Sequence, residues 1–512
     1  MGTKQFDSAT DLITFTRASG GTALRKVSYG SELVTNGDFS NGSTGWLEQG
    51  GWTFASGKAT NDGTNDWSLQ QLNLVTVGKT YRITYDVSDY GSGNISVGFN
   101  SGGGSTTVAA NGSYEVIETA TQTYFKGYPR SSFVGSIDNV SVKEVLYDQP
   151  DGTLQLFNSP ANVPRIEYNA DGTVKGLLIE EARTNLLPYS NQANQLSYYS
   201  NGITTGVDTT EVSSPQNSGT VIKLNKTATG FGFARVAYSS VTNAQTFSSF
   251  VKKGTARYIG FRQLASSGTH TTFDLENNTW VQNSGSTSRG YEDYGNGWLR
   301  LWAVSDDSTS KLWASIAITN SQGDEDNSET GTVYIFGLQR EQGAFPTSYI
   351  PTTGSTATRA ADVATIPTAN FGYNSDAGTL VVDAQSSSGN TNSMVAALEA
   401  VGGINRIEAR FSGSLNTNAR ATVVSNYVTQ ATLQITGLSE QRKIAFAFAS
   451  NDFALSANGS AVVSHTSGTL PTVTKMDIGE AIYENSHLNG HIKSIQYYPR
   501  RLSNAQLQEL TT

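Results

Sequence analysis

The chain of 512 residues has no cysteine, four histidines and only 15% charged residues. Without cysteine there is no disulfide framework, no thiolate metal site and no cysteine nucleophile, so burial and strand pairing must supply the stability. His270, His465, His487 and His491 are too sparse for a histidine-rich metal centre. His487 and His491 stand four apart, but their segment reads as loop into strand, not as the helical face a zinc pair uses. One is expected on the surface and the other in a strand. Lys plus Arg (34) fall short of Asp plus Glu (43), and no basic run appears. A net charge of −9 opposes a nucleic-acid surface, which needs clustered cations against phosphate. No run approaches the ~18 apolar residues of a membrane span, so no membrane insertion is expected. The start, Met1 to Thr10, is polar and lacks the basic and apolar parts of a secretory signal, which fits a chain made in a cytoplasm and released by lysis, and equally a secreted chain whose leader has been removed. Nucleophile elbow, phosphate loop and dinucleotide fingerprint are all missing, and with them any support for serine or nucleotide catalysis. The chain is expected to be no enzyme and to need no cofactor.

What is abundant is Gly, at 52 residues, together with Ser, Thr and Asn. That composition suits turns between short strands, and the length suggests about three domains. Alternation with a period of two, as in Thr80-Tyr81-Arg82-Ile83-Thr84-Tyr85-Asp86-Val87, predicts half-buried strands bounded by Gly, Asn and Ser. A first unit over 32–147 opens on Leu33-Val34-Thr35-Asn36-Gly37-Asp38-Phe39-Ser40 with Gly45-Trp46 and closes on Gly135-Ser136-Ile137-Asp138-Asn139-Val140-Ser141-Val142. A second, over 185–350, repeats the plan: Asn185 to Ser190 matches the opening, Gln245 to Lys252 the middle strand and Thr332 to Gln339 the close. Prolines in Phe345-Pro346-Thr347-Ser348-Tyr349-Ile350-Pro351-Thr352 predict a break near residue 355 and a linker over 351–369. A third β unit fills 370–512 and ends with Ser503 as the cap of a short helix over Ala505 to Leu510. The fold class is all-β: two jelly-roll sandwiches in tandem, then a further sandwich.

Several strings carry resemblances. The "N-G-D-F-S…G-W" opening and "I-D-N-V-S-V" close resemble carbohydrate-binding jelly rolls, and Leu488 to Ser503 resembles the end of concanavalin-like (laminin-G-like) sandwiches. Phe15-Thr16-Arg17-Ala18-Ser19 and Asn162 to Leu187 resemble one module of bacteriophage virion proteins, split here by the first jelly roll. Phe345 to Thr352 with Thr358-Arg359-Ala360-Ala361-Asp362 resembles a linker of phage tail and virion-surface proteins. These resemblances imply a surface protein of a tailed phage, a tail fibre or adhesin for host polysaccharide, with other virion proteins as partners. The alternatives are a capsid decoration protein and the carbohydrate-binding part of a secreted glycoside hydrolase system. Fibres of this kind are often trimers, which implies a homo-oligomer. Residues 1–31 and 148–184 would form a base facing the particle, the two halves side by side.

Sugar sites stack aromatic rings on apolar C–H faces and ring them with amide, carboxylate and guanidinium groups. The candidates are Trp46, Trp52, Trp67 and Asp66 early in the first jelly roll, Tyr128 and Arg130 near its last strand, and Trp298 and Trp302 in the second. Trp280, Tyr291, Tyr294 and Trp313 are also available there. Trp67, after the polar turn Asn61-Asp62-Gly63-Thr64-Asn65-Asp66, is the expected exposed ring. Packing is the competing role for all of them. In Trp298 to Trp302, alternation puts both tryptophans on one face and Leu299 and Leu301 on the other. Glu180 and Glu181 read as connecting-segment carboxylates, and the run at 323–327 as a solvated turn. Calcium is the runner-up for that run, through Asp324 and Asp326.

Overall fold

The computed structural model describes residues 12–512 apart from 48–49, 101–105, 201–206, 218–219, 238–243, 263–269, 306–312, 325, 387–391, 414–415, 439–440 and 482–485. The chain is an all-β protein of sandwiches in two compact units, Lys26–Thr153 and a larger one formed by the residues before Lys26 with Leu154–Thr512.

The unit Lys26–Thr153 is built on two long strands, Thr80–Gly98 and Phe125–Tyr147, paired antiparallel. Their register shifts between Thr84 and Asp86, Ser88 and Ser92, and Ser92 and Asn94. Each irregularity bends the ribbon, so the same strands serve both layers of a sandwich. Tyr81, Ile83, Tyr85 and Val87 alternate into the core beside Phe125, Phe133 and Ile137. The opening and closing strings meet: Val140 N donates to the Gly37 carbonyl at 2.9 Å. A Cβ at residue 37 would run into the Val140 carbonyl, so the approach requires glycine. Asn36 holds the opening loop through Nδ2 bonds to the Gly42 and Thr44 carbonyls.

In the larger unit, six-stranded and seven-stranded sheets enclose a core of Leu224, Phe247, Phe261, Phe273, Leu301 and Ile335, forming the second sandwich. Here Gln245–Lys253 pairs with Gly331–Gln342, the same middle-to-closing pairing that Thr80–Gly98 makes with Phe125–Tyr147. The C-terminal sandwich consists of two seven-stranded sheets over a core that includes Leu398, Phe411, Phe446 and Phe448. Ser503 caps the helix Asn504–Thr511, with Gln506 closing a capping box.

The expected base is not a separate piece. Thr14–Thr16 pairs with Val363–Pro367 at the edge of one sheet of the C-terminal sandwich, and Val174–Ile179 pairs with Gly490–Tyr498 in the other. Strands of three to six residues have no core of their own, and sheet edges offer unpaired N–H and C=O groups, so they are absorbed there. The expected linker at 351–369 is likewise structured. Ala357–Arg359 pairs with Arg183–Asn185, and Val363–Pro367 is an interior strand.

The segments at 15–19, 162–187 and 345–362 converge on one buried ionic cluster. Asp362 receives Arg17 Nη1 at 3.1 Å and Arg165 Nη2 at 2.5 Å, and all three side chains are wholly buried. Glu180 receives Arg165 at 2.9 Å and Arg359 at 3.5 Å. Ser348 donates both its N–H and its Oγ–H to Glu180, each at 2.7 Å. Three guanidiniums against two carboxylates leave one positive charge over, and backbone carbonyls of Pro160, Thr22 and Glu181 each accept a further N–H, from Arg17, Arg165 and Arg359 in turn. The two halves of the split segment touch, because Arg17 N donates to Asn162 Oδ1 at 3.0 Å. Tyr349 is buried, with its hydroxyl 2.6 Å from Ser190 Oγ and its carbonyl accepting from Thr22.

Burial opposes ionisation of Glu180, but the Arg359 and Arg165 guanidiniums and the Ser348 bonds outweigh it and hold its carboxyl down at about 2. A carboxylate depressed in the folded state stabilises the fold above its unfolded pKa near 4.5 and stops doing so as pH falls towards 2. The larger unit is therefore expected to lose on the order of 3 kcal/mol between pH 5 and 2 from this group. Urea midpoints across that range, compared with those of Glu180→Gln, measure the loss; the variant should show a flatter dependence.

Candidate functional site

On the unit Lys26–Thr153, the strand Phe125–Tyr147 begins with alternating burial, Phe125, Gly127 and Pro129 inward and Lys126, Tyr128 and Arg130 outward. Neighbouring strands set small or polar residues beside this row. Asn94 lies opposite Arg130, Ser96 opposite Tyr128 and Gly98 opposite Lys126, with Thr107 next to Ser96. On the other side Leu69 pairs with Gly127, which brings the turn carrying Asp66 and Trp67 alongside. Asp66, Asn94, Thr107, Tyr128, Pro129, Arg130 and Ser131 line an open groove of about 470 Å³.

Lys126 Nζ sits 4.5 Å and the Arg130 guanidinium 5.0 Å from the centre of the Tyr128 ring. Both cations use the ring's negative face, so Tyr128 holds them in place and is not an open stacking surface. Burial lowers the Lys126 pKa, and the nearby Arg130 charge lowers it further. An anion in the groove would relieve that crowding. Trp67, next in the chain to the groove residue Asp66, is 59% exposed and is the open aromatic ring on this side of the unit. Its position is fixed from below, where the buried Trp52 donates its indole N–H to the Trp67 carbonyl at 2.7 Å. Asn94 Oδ1 is buried in the groove wall with no hydrogen-bond partner among the described residues.

The other candidates fall elsewhere. Trp46 is 6% exposed, packs on Phe39 and Phe125, and donates to the Asn36 carbonyl. Trp52 is 8% exposed. Neither ring can receive a sugar. Trp298 is buried in a second apolar cluster with Phe250, Phe336, Tyr349 and Leu156, and its indole N–H donates to Ser213. The outer face of its sheet is covered, so both faces of the Trp298–Ser305 strand are packed. Trp302, on the same face, is only half-buried. The side chain of Trp313 lies outside the described residues. Asp324 accepts from Asn320 Nδ2 at 3.0 Å within its own turn, while Asp326 is exposed on a two-residue strand. Among the described residues no three carboxylate or imidazole groups gather around a common point. His487 and His491 are both buried, which corrects the expected surface position; His491 Nε2 is 2.6 Å from Glu167. Lys126, Asn94 and Thr107 were not among the sequence candidates.

No protein-family pattern and no curated protein sequence matches the chain. Among solved structures, a Ruminococcus gnavus IT-sialidase CBM40 is similar at 16% identity, over 27% of this chain and 84% of that one, with a TM-score of 0.24. The tandem CBM22-1–CBM22-2 domain of Paenibacillus barcinonensis Xyn10C is similar at 12% identity, over 61% of this chain and 98% of that one, with a TM-score of 0.20. Neither superposition is close.

Proposed function

We propose that this chain is a non-enzymatic attachment protein that binds acidic cell-surface polysaccharide through the groove of its Lys26–Thr153 unit. The observation that carries the reading is a pair of cations, Lys126 and Arg130, clamped on Tyr128 beside the exposed Trp67, in a chain of net charge −9. A pyranose ring stacks on the Trp67 indole while its carboxylate meets Arg130 and Lys126. Asp66 and Thr107 then take hydroxyls. Placement on the surface of a tailed phage, as tail fibre or capsid fibre, is supported by the resemblance of the strings at 15–19, 162–187 and 345–362. Those strings build the ionic cluster and its surroundings, so they report a shared scaffold and leave the choice of glycan to the other unit.

A glycan array tests the reading. Wild type should bind uronic- or sialic-acid-containing glycans over their neutral counterparts, and Trp67→Ala should bind those acidic glycans about tenfold or more weakly. No binding to any acidic glycan would remove the proposal. Turnover of a polysaccharide by the purified chain would move it to the glycoside hydrolase reading.

A further inference from the structure

A second recess lies wholly within the larger unit, where the second sandwich, the strands of the split segment and the C-terminal sandwich meet. Its main chamber is about 320 Å³, within the lower range of small-molecule sites, and it continues into a side recess of about 150 Å³ that shares Lys175, Gln385 and His491. The floor is aromatic. Trp302 lies opposite Gly290 on the edge strand Ser288–Asp293, and a Cβ at residue 290 would collide with the indole. The indole therefore lies against the bare backbone of Gly290 and lines the chamber. Tyr294 stands beside it, its ring fixed edge-on against Phe250 at 4.8 Å.

The walls are charged but internally balanced. Glu167 accepts from His491 Nε2 at 2.6 Å and pairs with Lys175 at 3.5 Å, and Lys175 reaches Glu292 at 2.9 Å. Arg300 is spent on the Thr347 carbonyl at 2.6 Å and Ser248 Oγ at 3.2 Å. Across the lining Glu167 and Glu292 stand against Lys175 and Arg300, and Glu180 is held by Arg165 and Arg359 behind it, so the recess has little excess charge to offer an ionic ligand. It has instead a fixed array of carboxylate acceptors and ammonium, imidazole and amide donors around an indole face, the arrangement that exchanges water for sugar hydroxyls.

From this geometry we infer that the recess is a second carbohydrate site, specific for an uncharged saccharide of one or two rings. It shares no residue with the groove of the Lys26–Thr153 unit. The chain thereby carries two sites of opposite preference, one for acidic and one for neutral sugar. A polysaccharide containing both unit types would engage them with a gain in avidity wherever its length allows.

The test uses the full chain with Trp67→Ala and Arg130→Ala, so that the first groove is silent. Glucose, galactose, maltose, lactose and glucuronic acid are titrated by saturation-transfer NMR and calorimetry. At least one neutral sugar should bind, independently of salt, and affinity should fall about tenfold or more in Glu292→Gln and in Trp302→Ala. Glu292 lies on an exposed edge strand, so its variant should stay folded by circular dichroism even if Trp302→Ala does not. Absence of binding by every neutral sugar would overturn the inference, as would unchanged affinity in a folded Glu292→Gln and Gln385→Ala pair or preference for glucuronic acid. Loss of acidic-glycan binding by the Trp67 and Arg130 changes concerns the first groove alone.

Discussion

Replacing Asp362 with alanine is expected to destabilise the larger unit by about 3–5 kcal/mol, the cost of leaving buried guanidiniums without their counter-ion. Asp362 is wholly buried and is the shared partner of Arg17 and Arg165, which come from the two halves of the split segment. Its loss leaves three arginines facing Glu180 alone, in a place water does not reach. The Arg17 guanidinium, already lowered to about 10 by burial and by Arg165, then has no carboxylate near it. Urea unfolding monitored by circular dichroism should show an earlier transition for the larger unit, with that of Lys26–Thr153 unmoved. The exposed pair Lys58–Asp89, at 3.0 Å, is the control. Lys58→Ala should leave both transitions in place, because a solvated pair is screened. A small shift for Asp362→Ala would mean that the cluster organises nothing.

The second large effect is on binding. Arg130→Ala and Trp67→Ala should each weaken affinity for an acidic glycan by about tenfold or more, through loss of a charge-assisted hydrogen bond in one case and of the stacking face in the other. The two should differ in salt dependence. Wild-type affinity should fall as salt rises, since groove cations at the surface are screened beyond about 10 Å at 0.1 M. Trp67→Ala should keep that slope, whereas Arg130→Ala combined with Lys126→Ala should flatten it. Neither change touches the core, so the melting temperature should not move.

The sequence carries the fold class because it is written in local terms. Period-two alternation, turn residues and the Ser503 cap are all short-range signals, and the exposure of Trp67 follows from the polar turn before it. Alternation could also have placed Trp52 inward with Phe54, and the row Lys126-Gly127-Tyr128-Pro129-Arg130 could have been read as three outward side chains on one strand face. The ionic cluster was not legible. Arg17 and Asp362 are 345 positions apart, and Glu180 looks like any carboxylate in a connecting segment until Arg165, Arg359 and Ser348 surround it. The same holds for Trp298, whose outward face is buried by Leu156 and Tyr349 from remote segments. It holds too for the strands at 14–16 and 174–179, which complete sheets formed mostly by residues beyond 360. Non-local burial decides these cases, and no local pattern encodes it.

On the proposed reading, glycan meets the chain at Trp67 and not at the other tryptophans of the same unit. Seven tryptophans give seven indole signals in a chain labelled with ¹⁵N-tryptophan. On titration with an acidic glycan the Trp67 signal should shift most. Trp52, bonded to the Trp67 carbonyl, should follow weakly, and Trp46 and Trp298, held on Asn36 and Ser213, should stay still. A saturable shift that spares Trp67, or none at any tryptophan with a glycan that binds, would rule out Trp67 as the contact.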